Sequence, residues 1–157
     1  DLQLYPELSA RENLDFSARL YGRQEPLAAV NDALDRARLA ERAEEPIAGF
    51  SRGMRQRLAL ERSLIHKPRL VLLDEPFTGL DDHSTSELIE RLHQLSKEGC
   101  LIVFATHDLD IADGVLDRAV VLRSGRITEL PAGHGSLRSR YRELVTGGGS
   151  MEQRTDV

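Results

Sequence analysis

The sequence predicts an α/β protein in which a helical segment is followed by two parallel strands joined by a crossover helix. Apolar residues recur at helical spacing over residues 9–66, whereas residues 70–73 and 100–105 are short continuous apolar runs. Such runs are typical of strands covered on both faces. A helical pattern at residues 83–97 separates them, and the order strand, helix, strand indicates a parallel sheet.

The composition indicates a soluble globular chain. Of its 157 residues, 40% are hydrophobic and 30% are charged, which argues against a disordered protein. The net charge is −5 and the sequence has no sustained basic run, so we expect no nucleic-acid partner. One cysteine, Cys100, excludes an internal disulfide and fits a reducing compartment. No apolar run approaches the ~18 residues of a spanning helix. We therefore expect a cytoplasmic domain.

Residues 9–66 are predicted to form three helices. Ser9 and Glu12 make a capping box before the first, which Gly22 ends. The second is predicted over residues 26–42, and the third follows a loop at 43–53. The apolar positions of the first two helices are expected to face inward, namely Leu14, Ala18, Leu20, Tyr21, Leu27, Val30, Leu34, Ala37 and Leu39.

The second half of the chain is predicted to alternate strands and helices. After the second strand, a short helix near residues 109–114 leads to a β-hairpin that turns at Ser124 and Gly125. A last helix is predicted over residues 136–145. A polar tail that begins at Gly147 is expected to be disordered.

Two adjacent acids follow the first strand directly. Asp74 and Glu75 are thereby placed at the carboxyl end of a parallel sheet, where α/β proteins bind ligands. An Asp at this position can hold Mg²⁺, and a Glu one position on can orient or deprotonate an attacking water. The alternative is an acid pair that only caps a helix or faces solvent.

A Ser and a Gly open the third helix. Ser51 can cap this helix, and Gly53 lets the backbone approach a ligand closely, so that the helix N-terminus forms an anion site. A plain Ser cap with a turn Gly explains the same residues. Farther along the helix, Arg57 and Glu61 have i, i+4 spacing and are interpreted as a structural ion pair.

His107 directly follows the second apolar run, so it shares a sheet edge with the acid pair. For this reason it is the histidine for which we predict a function. The other histidines share no metal-ligand spacing and are expected at the surface; they are His66, His83, His93 and His134.

Together, in this order and spacing, these motifs resemble those of the ATP-binding cassette (ABC) ATPases over nearly the whole chain. Residues 51–54 (Ser-Arg-Gly-Met) resemble the signature motif, and residues 70–75 resemble Walker B with its catalytic Glu. Residues 78–81 (Thr-Gly-Leu-Asp) resemble the D-loop, and His107 resembles the switch histidine. Residues 6–14 are similar to the segment that follows the family's Q-loop.

The resemblance implies a P-loop NTPase-like parallel sheet core with an α-helical subdomain, and ATP and Mg²⁺ as cofactors. It implies that Asp74 organises Mg²⁺ and contacts the nucleotide, Glu75 acts on water and His107 senses the γ-phosphate. Within the family, residues 12–22, 51–54 and 75–81 look most like the ATP-binding subunit of the haem exporter of cytochrome c maturation.

The resemblance also implies partners. Two subunits, expected to be identical, would pair head to tail, with Ser51 and Gly53 against the γ-phosphate bound to the opposite subunit and Asp81 linking the two sites. Residues 5–12 would couple the dimer to an integral membrane permease subunit. The protein would then be peripheral, at the cytoplasmic face of the plasma membrane.

The departures from the family pattern concern phosphate binding. The family's Walker A motif, G-x-x-x-x-G-K-[ST], is missing because no Gly-Lys pair occurs in the sequence. We expect that motif to lie upstream of Asp1 in a longer protein, and residues 1–157 alone to be inactive. In the signature motif, Arg52 replaces the commoner Gly and adds a cation near the anion site, and Met54 replaces the commoner Gln.

Four segments are predicted: a helical subdomain at 1–66, the C-terminal half of the ATPase core at 67–130, a C-terminal helix at 131–146 and a disordered tail at 147–157. The predicted function is ATP hydrolysis coupled to transport, with haem export as its finer form. Three alternatives remain open: an ABC-2-type exporter ATPase for another substrate, a non-transport ABC ATPase acting on DNA or ribosomes, and an interaction module that has lost nucleotide binding.

Overall fold

The computed structural model describes residues 4–131 and 134–147, which form helices and strands in the order that the sequence predicts. Their bounds are α1 Ala10–Leu20, α2 Pro26–Arg36, α3 Arg52–Leu64, β1 Leu70–Asp74, α4 Asp82–Lys97, β2 Leu101–Ala105, α5 Leu109–Asp113, β3 Val120–Arg123, β4 Arg126–Glu129 and α6 Leu137–Gly147. Two short 3₁₀ helices lie at Ala40–Arg42 and Ile47–Gly49. Contacts divide the described residues into two compact units, one within residues 4–73 and 77–103 and one within residues 74–76, 104–131 and 134–147.

The first unit has a helical core built from α1, α2 and α3. The predicted capping box is confirmed: Ser9 Oγ accepts a hydrogen bond from the Glu12 N–H at 3.1 Å, and Glu12 Oε2 accepts one from the Ser9 N–H at 2.8 Å. This cap fixes where α1 begins and therefore which of its residues face inward. The core residues include Leu14, Ala18, Val30, Leu34, Ala37, Leu39 and Leu58.

Two predictions about these helices are wrong. The second helix ends at Arg36 rather than near residue 42, because Arg38 takes a left-handed conformation (φ 56°) and the chain continues as a 3₁₀ turn. Leu20, Tyr21 and Leu27 were predicted to face the core and are 71%, 56% and 64% exposed. They lie at helix ends, where the helical spacing of apolar residues no longer decides which face is covered.

Strands β1 and β2 pair in parallel through the crossover helix α4, as predicted. The Leu101 N–H donates to the Arg69 carbonyl and the Glu75 N–H donates to the Ala105 carbonyl, both at 2.9 Å, so residue numbers rise together along the two strands. The prediction that both strand faces are covered is wrong. Every second residue is exposed, notably Leu70, Leu72, Leu101 and Val103. A continuous apolar run predicts a buried strand but does not supply the layer that covers each face.

The second unit contains the predicted hairpin. Strands β3 and β4 are antiparallel, with Leu122 opposite Ile127. Ser124 (φ 49°) and Gly125 (φ 75°) both have positive φ, as a two-residue hairpin turn requires. Helices α5 and α6 pack beside the hairpin through a small core of Ala112, Leu130 and Leu137.

Three further expectations concern membrane spanning, the C-terminal tail and the segment boundaries. No helix within residues 4–131 and 134–147 is both long and apolar enough to cross a membrane. Residues 148–157 of the predicted disordered tail lie outside the described residues. The two units interleave along the chain, and the segment boundaries at residues 66, 130 and 146 stay a prediction.

Candidate functional site

The second unit brings together the two residues for which the sequence predicts catalytic roles, Glu75 and His107. Glu75 Oε1 lies 2.7 Å from His107 Nδ1 and accepts a hydrogen bond from the His107 N–H at 3.1 Å. Glu75 Oε2 accepts a hydrogen bond from Thr106 Oγ1 at 3.2 Å. The glutamate carboxylate is therefore held at both oxygens by the segment that follows β2.

The parallel pairing of β1 and β2 explains this arrangement. Parallel strands end at the same sheet edge, so the residues after Asp74 and Ala105 are neighbours. Glu75 has a left-handed backbone (φ 45°), a conformation that costs of order 1–3 kcal/mol for a residue with a side chain. Its N–H bond to the Ala105 carbonyl and the contacts of its carboxylate hold that conformation in place.

The Glu75–His107 contact shifts the pKa of both groups. The hydrogen bond from His107 lowers the pKa of the Glu75 carboxyl below its ordinary value. The hydrogen bond to Glu75 raises the pKa of the His107 imidazole. Glu75 is 37% exposed at its side chain and His107 is 79% exposed, so solvent reaches both. An ionised carboxylate that water can reach is the form that a general base requires.

Asp74 is the last residue of β1, and it is exposed. Among the described residues, no group of three or more His, Cys, Asp or Glu side chains could hold a metal ion. Mg²⁺ is commonly bound by one or two carboxylates together with water and substrate phosphates. Asp74 therefore fits as one ligand of a magnesium ion whose other ligands are water and the phosphates of a nucleotide. Asp74 alone does not supply a complete set of ligands.

The first unit contains the other three predicted site residues, at the beginnings of α3 and α4. Ser51 Oγ accepts a hydrogen bond from the Met54 N–H at 3.2 Å, which confirms that Ser51 caps α3. Asp81 Oδ1 accepts one from the Ser84 N–H at 2.7 Å and caps α4; this bond lowers the pKa of Asp81. Gly53 lies on the first turn of α3, where it contacts Ser84.

The structure explains in a way that the sequence did not why residue 53 is a glycine. A Cβ at this position would lie 2.3 Å from Ser84 Oγ and 3.0 Å from Ser84 Cβ. Only a glycine allows α3 and α4 to approach this closely without a shift of one of them. The first turns of the signature-like helix and of the helix after residues 78–81 are therefore packed together.

Arg52, the unusual residue of the signature-like motif, covers the turn before Asp81. A Cβ built on Gly79 would lie 2.6 Å from Arg52 Nη1, and Gly79 has φ 71°. The guanidinium therefore occupies the space beside Gly79. The sequence predicted only that Arg52 adds a cation near an anion site, because it does not show what lies across from the residue.

The predicted Arg57–Glu61 pair is wrong, since each residue pairs with α4 instead. Arg57 Nη1 lies 2.6 Å from Glu87 Oε2. Glu61 accepts two hydrogen bonds from Arg91, at 2.6 and 3.1 Å, and this pair is buried. Both partners lie on α4, so the spacing of residues within α3 does not predict them. The interpretation of both residues as structural fits these contacts.

The remaining histidines are exposed, as predicted: His66, His83, His93 and His134. The His66 ring stacks on Tyr21 with 4.3 Å between ring centres. Cys100 is partly buried, and its sulfur lies 3.5 Å from the Pro68 carbonyl oxygen, in keeping with a structural role. Sequence analysis missed one residue of the site, Thr106; the available signal was its place between a strand end and His107.

This chain is similar to ABC transporter proteins both in sequence and in structure. A family model described as ABC transporter matches residues 1–78. The ABC transporter ATP-binding protein NatA of Bacillus subtilis (strain 168) is 36% identical over 140 residues, which are 88% of this chain and 55% of that protein. The Nod factor export ATP-binding protein I of Sinorhizobium fredii (strain NBRC 101917 / NGR234) is 43% identical over 122 residues, 76% of this chain and 36% of that protein.

A solved structure described as the ATP-binding subunit of an ABC transporter has the same fold. Its TM-score is 0.76 at 31% sequence identity, and the match covers 90% of this chain and 64% of that one. The chain therefore spans 55% and 36% of the length of the two relatives above and about two thirds of this structure.

Proposed function

Because the chain belongs to the family of ABC transporter ATP-binding proteins and has the mixed α/β fold of that family, we propose that it forms part of the ATPase of an exporter. The observation that carries the proposal is the Glu75–His107 pair at the shared end of two parallel strands. The reaction is the hydrolysis of ATP, and the free energy that it releases drives transport across a membrane.

Glu75 is the general base in this proposal. Its carboxylate takes a proton from, or orients, the water that attacks the γ-phosphate of ATP. His107, which already contacts Glu75, donates a hydrogen bond toward the γ-phosphate when nucleotide is bound. The raised pKa of His107 supports its role as a positively charged donor, and the lowered pKa of Glu75 keeps its carboxylate ionised and able to accept a hydrogen bond from water.

Asp74 holds Mg²⁺ in this proposal. The ion would neutralise charge on the phosphates of ATP, and the remaining ligands would be water and phosphate oxygens. The support is the place of an exposed carboxylate at the last position of β1, one residue before Glu75.

Ser51, Gly53 and Asp81 act on the nucleotide of a second copy. In a head-to-tail homodimer, the capped N-terminus of α3 presents backbone N–H groups and the Ser51 hydroxyl to the γ-phosphate bound by the partner. Asp81 links the two sites from the beginning of α4. The close packing of Gly53 on Ser84 supports the idea that the two helix ends act together.

The phosphate-binding loop is not among residues 1–157, because the sequence has no Gly-Lys pair. The chain spans about half or less of the curated relatives reported above. We therefore propose that ATP hydrolysis belongs to a longer protein and that residues 1–157 alone do not support it.

The partner is an integral membrane permease subunit at the cytoplasmic face of the plasma membrane, and nucleic acid is not a partner. Export rather than import is proposed because one relative is named for Nod factor export. Haem export has no support from these relatives, since neither name refers to haem. Of the predicted alternatives, an exporter ATPase for another substrate is the one that we propose.

The test is the replacement Glu75→Gln in the full-length protein. ATP turnover should fall by at least about a hundredfold while ATP binding is retained, because general-base catalysis contributes roughly 10²–10⁴. Glu143→Gln is the matched control, since Glu143 is exposed on α6 in the same unit. Wild-type turnover in the Glu75 variant would refute the proposed role.

A further inference from the structure

The Thr106 hydroxyl makes two hydrogen bonds whose directions fix its proton. The Asp108 N–H donates to Thr106 Oγ1 at 3.1 Å, and Thr106 Oγ1 donates to Glu75 Oε2 at 3.2 Å. A hydroxyl has one proton, and an ionised carboxylate can only accept. Because the backbone N–H can only donate to the hydroxyl and the carboxylate can only accept from it, the proton of Thr106 points to Glu75 Oε2.

This bond complements those of His107. The imidazole and the backbone N–H of His107 both hold Oε1 of Glu75, whereas Thr106 holds Oε2. A single held oxygen would let the carboxylate turn about its last torsion, which is a soft one for glutamate. Two held oxygens fix the plane of the carboxylate and the direction of its remaining lone pairs.

The backbone of Glu75 increases the need for such a restraint. Its left-handed φ of 45° is a conformation that persists only where surrounding contacts stabilise it. The Glu75 N–H donates to the carbonyl of Ala105, the residue before Thr106, and this bond restrains the main chain of Glu75. The same short segment, residues 105–108, thus restrains both the main chain and the side chain of Glu75.

We propose that Thr106 is a positioning residue for ATP hydrolysis, which orients the Glu75 carboxylate toward the attacking water. This inference rests on the proposed role of Glu75 as the base. Thr106 does not touch the reacting atoms, and it acts through Glu75. Its loss leaves the base present but able to turn away from the water, which slows turnover without weakening the binding of ATP.

The test compares Thr106→Val and Thr106→Ser in the full-length protein. Valine keeps the shape of threonine and removes the hydroxyl, so kcat for ATP should fall by about tenfold to a hundredfold, part of the 10²–10⁴ of a general base, while KM changes less than about threefold. Serine keeps the hydroxyl and should restore kcat to within about threefold of the wild type. Thr146→Val is the matched control, since Thr146 in the same unit donates only to helix carbonyls.

The split between kcat and KM separates positioning from a general loss of structure, because a defect in the fold would also weaken ATP binding and Thr106→Ser would not repair it. A kcat for Thr106→Val equal to that of the wild type would overturn the proposal. So would a loss of activity that Thr106→Ser shares in full.

The Glu75→Gln variant distinguishes a failure of the role proposed for Thr106 from a failure of the role proposed for Glu75. If Glu75→Gln is inactive and Thr106→Val is fully active, only the role of Thr106 fails. If Glu75→Gln retains turnover, the proposed base itself fails. In the double variant, Thr106→Val should add no further loss to that of Glu75→Gln, because a positioning residue has no effect once the base is gone.

Discussion

The close approach of α3 and α4 predicts that Gly53→Ala destabilises the first unit. The added Cβ would lie 2.3 Å from Ser84 Oγ and 3.0 Å from Ser84 Cβ, where the two helices begin. Ser84 is 8% exposed, so its side chain has little room to move outward. The hydroxyl can rotate away, but the Cβ contact requires a shift of α4 by a few tenths of an ångström.

The magnitude follows from two opposed effects. Overpacking of a buried contact costs about 1–3 kcal/mol, whereas alanine is favoured over glycine in a helix by at most about 1 kcal/mol. We therefore expect Gly53→Ala to lower the free energy of unfolding by about 1–2 kcal/mol. Urea denaturation of the full-length protein measures this difference as a lower midpoint with an unchanged slope.

Two further variants test the cause. Ser84→Ala removes the nearer atom, so the double variant Gly53→Ala/Ser84→Ala should recover most of the lost stability and show a coupling of at least about 0.5 kcal/mol. Gly49→Ala is the control, because a Cβ at Gly49 would meet nothing within 4 Å. A stability of Gly53→Ala equal to the wild type, or a loss that Ser84→Ala does not relieve, would refute the packing argument.

Two other predictions concern charge pairs. Arg91→Met should destabilise the protein by about 3–5 kcal/mol in urea denaturation, because buried Glu61 then lacks its partner; if the further change Glu61→Leu does not restore most of this, the pair is not the cause. In an NMR titration, the midpoint of His107 should lie above 6.5 and fall in Glu75→Gln. The stability due to the raised pKa of His107 is complete below pH 6.5 and is lost as the pH rises through that pKa. The stability due to the lowered pKa of Glu75 is complete above pH 4.5 and is lost as the pH falls through that pKa. The same His107 midpoint in the wild type and in Glu75→Gln would contradict the Glu75–His107 pair.

The sequence was sufficient where a feature depends on neighbouring residues or on the topology of two strands. The caps of α1 and α3 involve residues within four positions of each other, so Ser9 and Ser51 could be assigned from their spacing. The meeting of Glu75 and His107 could be predicted because parallel strands end at one sheet edge, whatever the details of packing.

Contacts between distant elements could not be predicted from the sequence. Glu61 and Arg91 are 30 positions apart, and their pairing depends on the angle at which α3 and α4 cross. The contact between Gly53 and Ser84 also depends on how α3 and α4 cross. For Gly53, the sequence indicated that a glycine is needed but attributed this to a ligand, since it does not show which atoms lie nearby.

Burial of the strands was also beyond the sequence. The apolar run at residues 70–73 indicates a strand that can be covered on both faces, but the covering layer is a property of the whole protein. In the described residues, Leu72 is 70% exposed although Val71 is 6% exposed. Side-chain hydrogen bonds such as that of Thr106 depend on local geometry at a strand end, which the sequence did not resolve.

In the proposed dimer, Ser51 of a second copy completes the site at the γ-phosphate of ATP. The most direct test is sedimentation of full-length Glu75→Gln, alone and combined with Ser51→Asp, with Mg²⁺ and ATP. Aspartate caps a helix as well as serine, so α3 is kept, but its charge repels a phosphate. We expect ATP-dependent dimers for Glu75→Gln and monomers for the double variant. Dimers that Ser51→Asp leaves unchanged would contradict this role of Ser51.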